Sequence, residues 1–190
     1  QGIGTELNPN YVKIIKKRAK DTQTKLDNTE SRPTPKIYKN NALNITKYLK
    51  PNSVNFCVTS PPYWDILNQK RTVDDKEIRT YSDSEKDLGN IDDYQKFLDS
   101  LEDVFSKVFQ VLKPKSRCAV IVMDIRKKSK FYPLHIDLTT RMQKIGFELD
   151  EFAIWDRQHE YNFMTTLGFP WVFRFNKVHE FICIYTKPEV

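Results

Sequence analysis

The clearest pattern in the chain is a run of apolar residues at helical spacing. Tyr94, Phe97, Leu98, Leu101, Val104, Phe105, Val108 and Leu112 share one face, which predicts a helix over 92–113 stopped by Pro114. A shorter helix is expected over 133–145, closed by Gly146, because glycine accepts the left-handed conformation of a helix end. Near the start, Asn8 is a good helix cap and Pro9 a good first residue. Tyr11, Ile14, Ile15 and Ala19 then keep helical spacing over 9–20, with Lys13, Lys16, Lys17, Arg18 and Lys20 facing elsewhere. A fourth, short helix is expected over 43–49, before Pro51.

Continuous apolar runs predict buried strands instead. Residues 53–59 (Ser-Val-Asn-Phe-Cys-Val-Thr) and 117–124 (Arg-Cys-Ala-Val-Ile-Val-Met-Asp) read as central strands. Residues 2–6, 36–39, 147–156 and 178–187 read as further strands. Segment 21–35 is polar, carries Pro33 and Pro35, and is expected to be a linker; 65–91 is charged and without period. Alternating strands and helices imply a single α/β domain over 1–190, its mainly parallel sheet covered on both faces. The last two strands lack a helix between them, which implies an antiparallel pair at one edge.

Composition narrows the class. The 190 residues are 39% hydrophobic and 13% aromatic, too apolar for a disordered chain. No apolar run approaches the roughly 18 residues of a membrane span, so a soluble protein is expected, with no membrane partner. Only five residues are glycine, and they are mostly far apart, which excludes a glycine-rich phosphate cradle. The net charge of +6 is uneven: residues 1–50 hold 11 Lys+Arg against 4 Asp+Glu, whereas 51–100 hold 6 against 10. A basic surface favours polyanions such as nucleic acid, although a solvated lysine-rich face is the commoner use of such charge. Cys57, Cys118 and Cys183 sit in apolar runs and read as reduced core residues of an intracellular, cytoplasmic protein. There is no signal-peptide stretch at the start, and Asn44-Ile45-Thr46 is read as a chance glycosylation triplet.

Two places carry candidate chemistry. The first is Ser60-Pro61-Pro62-Tyr63, at the carboxyl end of a buried strand, where open α/β sheets bind their ligands. Two prolines fix two backbone torsions and remove two N–H donors. A rigid corner remains that offers acceptors, the Ser60 hydroxyl and the Pro61 carbonyl. Such a corner suits a substrate NH2 group: two accepted hydrogen bonds draw the nitrogen lone pair out of conjugation and aim it at an electrophile. Tyr63 adds a flat face on which a flipped base could stack. The second place is Glu6, followed by Leu7-Asn8-Pro9. An acidic residue at a strand end before a helix is the usual acceptor for ribose hydroxyls in nucleoside-binding α/β folds.

Taken together, these residues resemble the amino-methyltransferases that act on DNA bases, the cytosine-N4 and adenine-N6 family using S-adenosylmethionine. Gly-Ile-Gly-Thr-Glu-Leu-Asn-Pro-Asn-Tyr at 2–11 resembles that family's second-strand block, and Thr59-Ser60-Pro61-Pro62-Tyr63-Trp64-Asp65 its catalytic block. Residues 87–90, 131–135 and 178–181 also look familial. The resemblance implies a Rossmann-like methyltransferase sheet, mainly parallel with an antiparallel edge strand. It implies Glu6 and Leu7 on the cofactor ribose, and Asn41 with Ala42 at the adenine, where the family usually has an acidic residue. It further implies Ser60, Pro61, Pro62 and Tyr63 at the target amine and base of double-stranded DNA. Serine in the first motif position leans toward cytosine N4.

Two departures stand out. No counterpart of the family's glycine-rich loop after the first strand is present, and the chain opens on Gln rather than Met. The first strand and loop are therefore expected upstream of residue 1, and no separate target-recognition region is visible. The alternative reading is a catalytically incompetent remnant or subunit that binds nucleic acid, completed by a second copy or a complementing chain. A third reading keeps the chemistry but moves it to an RNA or protein amine.

Of the remaining residues, Arg126–Lys130 follows a strand end and suits either phosphate contact or a solvated loop. Trp155, Trp171, Phe173 and Phe175 suit core or edge packing ahead of a DNA channel. Asp124 either lines the site or caps its loop. His135, His159 and His179 lack metal-ligand spacing, so no metal is expected.

Overall fold

A computed structural model describes residues 1–25, 33–66, 87–160, 166–167, 171 and 173–189. The chain packs into two compact units, one of residues 1–53 with 64–111 and one of residues 54–63 with 112–190.

The first unit opens with strand β1 (Ile3–Glu6), helix α1 (Pro9–Lys25) and strand β2 (Lys36–Lys39), with β1 and β2 pairing in parallel. Asn8 starts α1 as expected, its side chain accepting from the Asn10 amide at 2.9 Å. The helix runs five residues beyond the expected Lys20, into the segment read as a linker; 26–32 lie outside the described residues. Only Val12 of its apolar residues is buried, while Tyr11, Ile14 and Ile15 remain about two-fifths exposed. Two four-residue strands are simply too short to cover the face of a 17-residue helix.

The expected helix at 43–49 is a 3₁₀ helix, Ala42–Lys47, capped by Asn41. Six residues give it too little length for a stable α-helix. Helix α2 (Tyr94–Val111) packs against it and buries Tyr94, Phe97, Leu98, Leu101 and Phe105 of the face read from the sequence, together with Val111, while Val104 and Val108 are half-buried. Asp93 caps α2, accepting from the Lys96 amide at 2.8 Å. Trp64 is buried beside Tyr94 and donates to the Ile91 carbonyl. Most of the charged stretch, 67–86, lies outside the described residues.

The second unit is built on a four-stranded sheet of β3 (Val54–Thr59), β4 (Leu112–Val122), β10 (His179–Thr186) and β7 (Glu148–Asp156), in that order. β3 and β4 are parallel, and β10 is antiparallel to both of its neighbours. Three of the four strands therefore run one way and the last strand of the chain alone runs back. The expected antiparallel pair does lie at one edge, with β7 outermost and the reversed strand inserted between β7 and β4.

Register explains which face is buried. Cys57 lies opposite Cys118, Cys118 opposite Tyr185, Val120 opposite Cys183 and Val122 opposite Phe181, so these residues share one face. Helix α3 (Leu134–Ile145) packs on that face through Leu134, Leu138 and Met142, and Thr139 hydrogen-bonds the Tyr185 hydroxyl at 2.9 Å. Gly146 closes α3 at φ 113°, as its position predicted. On the opposite face Phe56 and Val58 stay 54% and 61% exposed, so the expectation of a sheet covered on both faces does not hold there.

β4 ends at Val122, two residues before the expected end. A hairpin absent from the sequence reading follows: β5 (Ile125–Lys127) and β6 (Lys130–Tyr132), turning at Lys128 with φ 56°. A second small antiparallel pair joins β8 (Thr166–Leu167) to β9 (Arg174–Phe175). Among the described residues no helix is long and apolar enough to cross a membrane.

Candidate active site

The corner Ser60-Pro61-Pro62-Tyr63 leaves the carboxyl end of β3. Ser60 is exposed, while Pro61, Pro62 and Tyr63 are half-buried. The Tyr63 hydroxyl donates to Glu180 Oε2 at 3.0 Å and lies 3.2 Å from Ser60 Oγ. A phenol has one proton to give. With that proton on Glu180, the Ser60 hydroxyl must donate to the Tyr63 oxygen, which leaves the lone pairs of Ser60 Oγ as acceptors. The corner read from the sequence as an array of acceptors is thus held in that state by a third residue.

Glu180 sits on β10, opposite Trp155 of β7, and is 2% exposed. Its other carboxylate oxygen takes the Arg157 guanidinium in an ion pair. Arg157 lies one residue past β7, where its amide donates to the Val178 carbonyl at 2.8 Å and its guanidinium lies over the Trp155 ring. A buried carboxylate needs such a partner, because an unpaired charge out of water is costly. Neither Glu180 nor Arg157 stood out in the sequence reading as a site residue. The available signal was one acid at the start of an apolar strand, a residue type almost never buried unless paired.

Beside this chain of bonds, Asp124 lies just past β4 and is 6% exposed. It holds His135 Nδ1 at 2.6 Å and also accepts from the His135 amide at the start of α3. The His135 ring stacks on Phe181 at 3.8 Å. Asp124 therefore ties the end of β4 to the start of α3. Its backbone carbonyl accepts from Lys177 Nζ. Burial pushes the Lys177 ammonium pKa down, with Asp124 opposing and Arg126 reinforcing that shift. Among the described residues no three His, Cys, Asp or Glu side chains group as metal ligands.

Trp155, Trp171, Phe173 and Phe175 are 42%, 90%, 66% and 77% exposed, so the core reading of these aromatics is wrong. All three cysteines are free thiols; Cys118 and Cys183 are buried, whereas Cys57 is only half-buried.

The first unit holds Glu6, Leu7, Asn41 and Ala42. Glu6 ends β1 and Asn40 follows β2, and because the two strands are parallel both ends lie together: the Asn40 amide donates to the Glu6 carbonyl at 3.1 Å. Glu6 Oε1 accepts from the Asn8 amide at 2.7 Å, which fixes the carboxylate. Asn41 Oδ1 accepts from the Leu43 amide at 2.9 Å, so what Asn41 offers a ligand is its NH2 group, a donor. Leu7 and Ala42, both half-buried, flank these two polar groups. Their chemistry fits a nucleoside: acceptors for a diol, a donor for a ring nitrogen, and apolar neighbours.

The family model for DNA methylases of the N6/N4 type matches residues 54–190. The chain belongs to this family. The match begins at Val54, the first residue of the unit that carries the Ser60 corner. The Type II methyltransferase M.MthZI of Methanothermobacter thermautotrophicus is 30% identical over 165 residues, covering 81% of this chain and 45% of the relative. A candidate DNA modification methylase of Thermus thermophilus, TTHA0409, solved in complex with S-adenosyl-L-methionine, is 28% identical. It superposes with a TM-score of 0.55 over 79% of this chain and 54% of the other. The cytosine-N4-specific PvuII DNA methyltransferase shares the fold at 15% identity and a TM-score of 0.55, over 80% of this chain and 49% of the other. The chain spans about half the length of these relatives.

Proposed function

We propose that this chain carries the base-binding and much of the cofactor-binding part of a DNA methyltransferase. It transfers a methyl group from S-adenosylmethionine to an exocyclic base amine, with cytosine N4 favoured over adenine N6. The observation that carries this reading is the bonded corner: the Tyr63 hydroxyl donates to Glu180 and lies 3.2 Å from Ser60 Oγ, so Ser60 can donate to it and keep its lone pairs for an amine.

In this reading Ser60 Oγ and the Pro61 carbonyl take the two N–H groups of the target amine. Two hydrogen bonds at tetrahedral angles turn the nitrogen lone pair away from the ring. Pro61 and Pro62 keep the acceptors in place, because neither backbone torsion φ can drift. Tyr63 anchors the corner through its hydroxyl and offers its ring to the extruded base. Glu6 takes the ribose hydroxyls, the Asn41 NH2 meets an adenine ring nitrogen, and Leu7 and Ala42 line the adenosine. S-adenosylmethionine, when bound, would supply a sulfonium methyl that the amine lone pair takes by displacement, the C–S bond breaking to release the neutral thioether. The protein's contribution is then positioning and fixed dipoles. The amine loses one proton as it gains the methyl, and water at the exposed corner takes it up.

The preference for cytosine rests on serine in the first position of the corner. The TTHA0409 complex and the family membership support the cofactor. The reading is tested by incubating the chain with duplex DNA and methyl-labelled S-adenosylmethionine, then digesting the DNA to nucleosides for mass spectrometry. N4-methylcytosine is expected. Label in N6-methyladenine would overturn the base preference, and absence of label would overturn the activity.

A further inference from the structure

The residues between the end of β4 and the start of β10 that flank the corner form a surface the reaction does not use. The hairpin β5–β6 carries Arg126, Lys127, Lys128 and Lys130, and the β9 segment carries Arg174 and Lys177. Neither 125–132 nor 173–178 contains a carboxylate. Aromatic rings alternate with these cations: Phe131 is 41% exposed, Phe173 66% and Phe175 77%.

The two segments form one patch. Arg174 donates to the Lys128 carbonyl at 3.4 Å, and the cations of Arg126 and Lys177 lie 5.2 and 5.0 Å from the Phe131 ring centre. Asp124, the nearest acid in sequence, is buried against His135 and faces Lys177, away from the exposed Arg126, Lys128 and Lys130 of the hairpin.

Topology fixes where the patch lies. β3 and β4 are parallel, so the Ser60 corner after β3 and the hairpin after β4 leave the same end of the sheet. β10 runs back from that end, and Lys177 and Glu180 sit at its start.

We propose that this patch docks the DNA strand beside the target base, with its cations on successive phosphates and Phe173 and Phe175 against bases unstacked by extrusion. The proposal rests on the reading of the chain as a DNA methyltransferase and adds the surface that holds the substrate. Charge decides the partner. Arg126, Lys128, Lys130 and Arg174, on segments that carry no carboxylate, suit a polyanion and repel a basic partner, and exposed rings among them suit a polyanion with flat apolar faces. An acidic protein would satisfy the cations but leave the rings without partners.

The test is fluorescence anisotropy of the full chain with a labelled duplex of about 20 base pairs carrying one bulged base, at several salt concentrations. Replacing Arg126, Lys128 and Lys130 by Gln together is expected to weaken binding at least tenfold and to flatten log Kd against log salt by up to about 3. Phe173→Ala with Phe175→Ala is expected to weaken the bulged duplex at least about fivefold and the fully paired one less. These side chains are exposed, so melting temperatures should not move. Wild-type protein that binds and methylates DNA while both variants bind unchanged would overturn the surface but leave the activity standing. Wild-type protein that binds no DNA would overturn both, and tighter binding to a matching RNA would reassign the partner.

Discussion

Tyr63 and Glu180, 117 residues apart, are joined by a hydrogen bond of 3.0 Å that runs from the phenol to a buried carboxylate. The bond sets the direction of every proton beyond it. Glu180 is itself held by Arg157, so the order runs from guanidinium to carboxylate to phenol to the Ser60 hydroxyl.

Glu180→Gln reverses that order. Arg157 would keep the amide oxygen, leaving the NH2 to donate to Tyr63, which must then donate to Ser60. Ser60 would then spend one lone pair on the Tyr63 hydroxyl and free its own proton to point at the substrate amine, which weakens it as an acceptor. The expected outcome is a fall in kcat of about 100-fold, with cofactor Kd and KM for DNA within a few-fold. Tyr63→Phe should lose kcat in the same way. Steady-state kinetics with calorimetry of cofactor binding separates this from general damage, which would raise KM as well.

Arg157→Ala leaves the Glu180 carboxylate buried without its ion-pair partner. Removing one member of a buried pair costs about 3 kcal/mol or more. Urea unfolding should report a loss of that order. Arg157→Ala combined with Glu180→Leu should recover part of it, since no charge then remains to be desolvated.

Glu6→Gln tests the polar group of the first unit. The replacement keeps shape and the bond from the Asn8 amide but removes the charge that strengthens a bond to a diol. Cofactor affinity is expected to fall about tenfold with the melting temperature unchanged, as read by calorimetry and a thermal melt. An unchanged Kd would remove Glu6 from the site.

The thiols predict a reactivity order and an alkaline limit. A hydrogen bond with Cys118 lowers the Cys57 thiol against the opposing effect of burial, whereas burial pushes Cys183 up to about 11. Iodoacetamide at about pH 8 should therefore label Cys57 first, checked by peptide mass spectrometry. The folded state prefers Cys183 protonated, so its contribution to stability is complete below the ordinary thiol value of 9.0. That contribution should fall between pH 9.0 and about 11. Cys183→Ala should flatten melting temperature against pH across that window.

Much of the architecture was legible because single residues dictate it. The apolar face of α2 and the left-handed cap at Gly146 follow from spacing and sterics. The Ser60 corner was legible for the same reason, since two prolines admit few conformations. Glu180 and Arg157 were not, because their partner Tyr63 lies far away in sequence and only the insertion of β10 between β4 and β7 brings them together. The hairpin at 125–132 was missed because a lysine-rich segment carries no apolar alternation, and its turn relies on a positive φ at Lys128, which no glycine announces. For the aromatics at 171–175 core packing was one expectation, and it failed because ring type alone does not tell a buried position from an exposed one.

The account turns on Ser60 as an acceptor, and methyl transfer by Ser60→Ala measures that most directly. Wild-type and variant protein, each with duplex DNA and labelled S-adenosylmethionine, are compared by the methylated nucleoside formed per minute. The account predicts N4-methylcytosine from the wild type and a loss of at least about 100-fold in the variant, with cofactor affinity unchanged. Equal rates from the two proteins would contradict it.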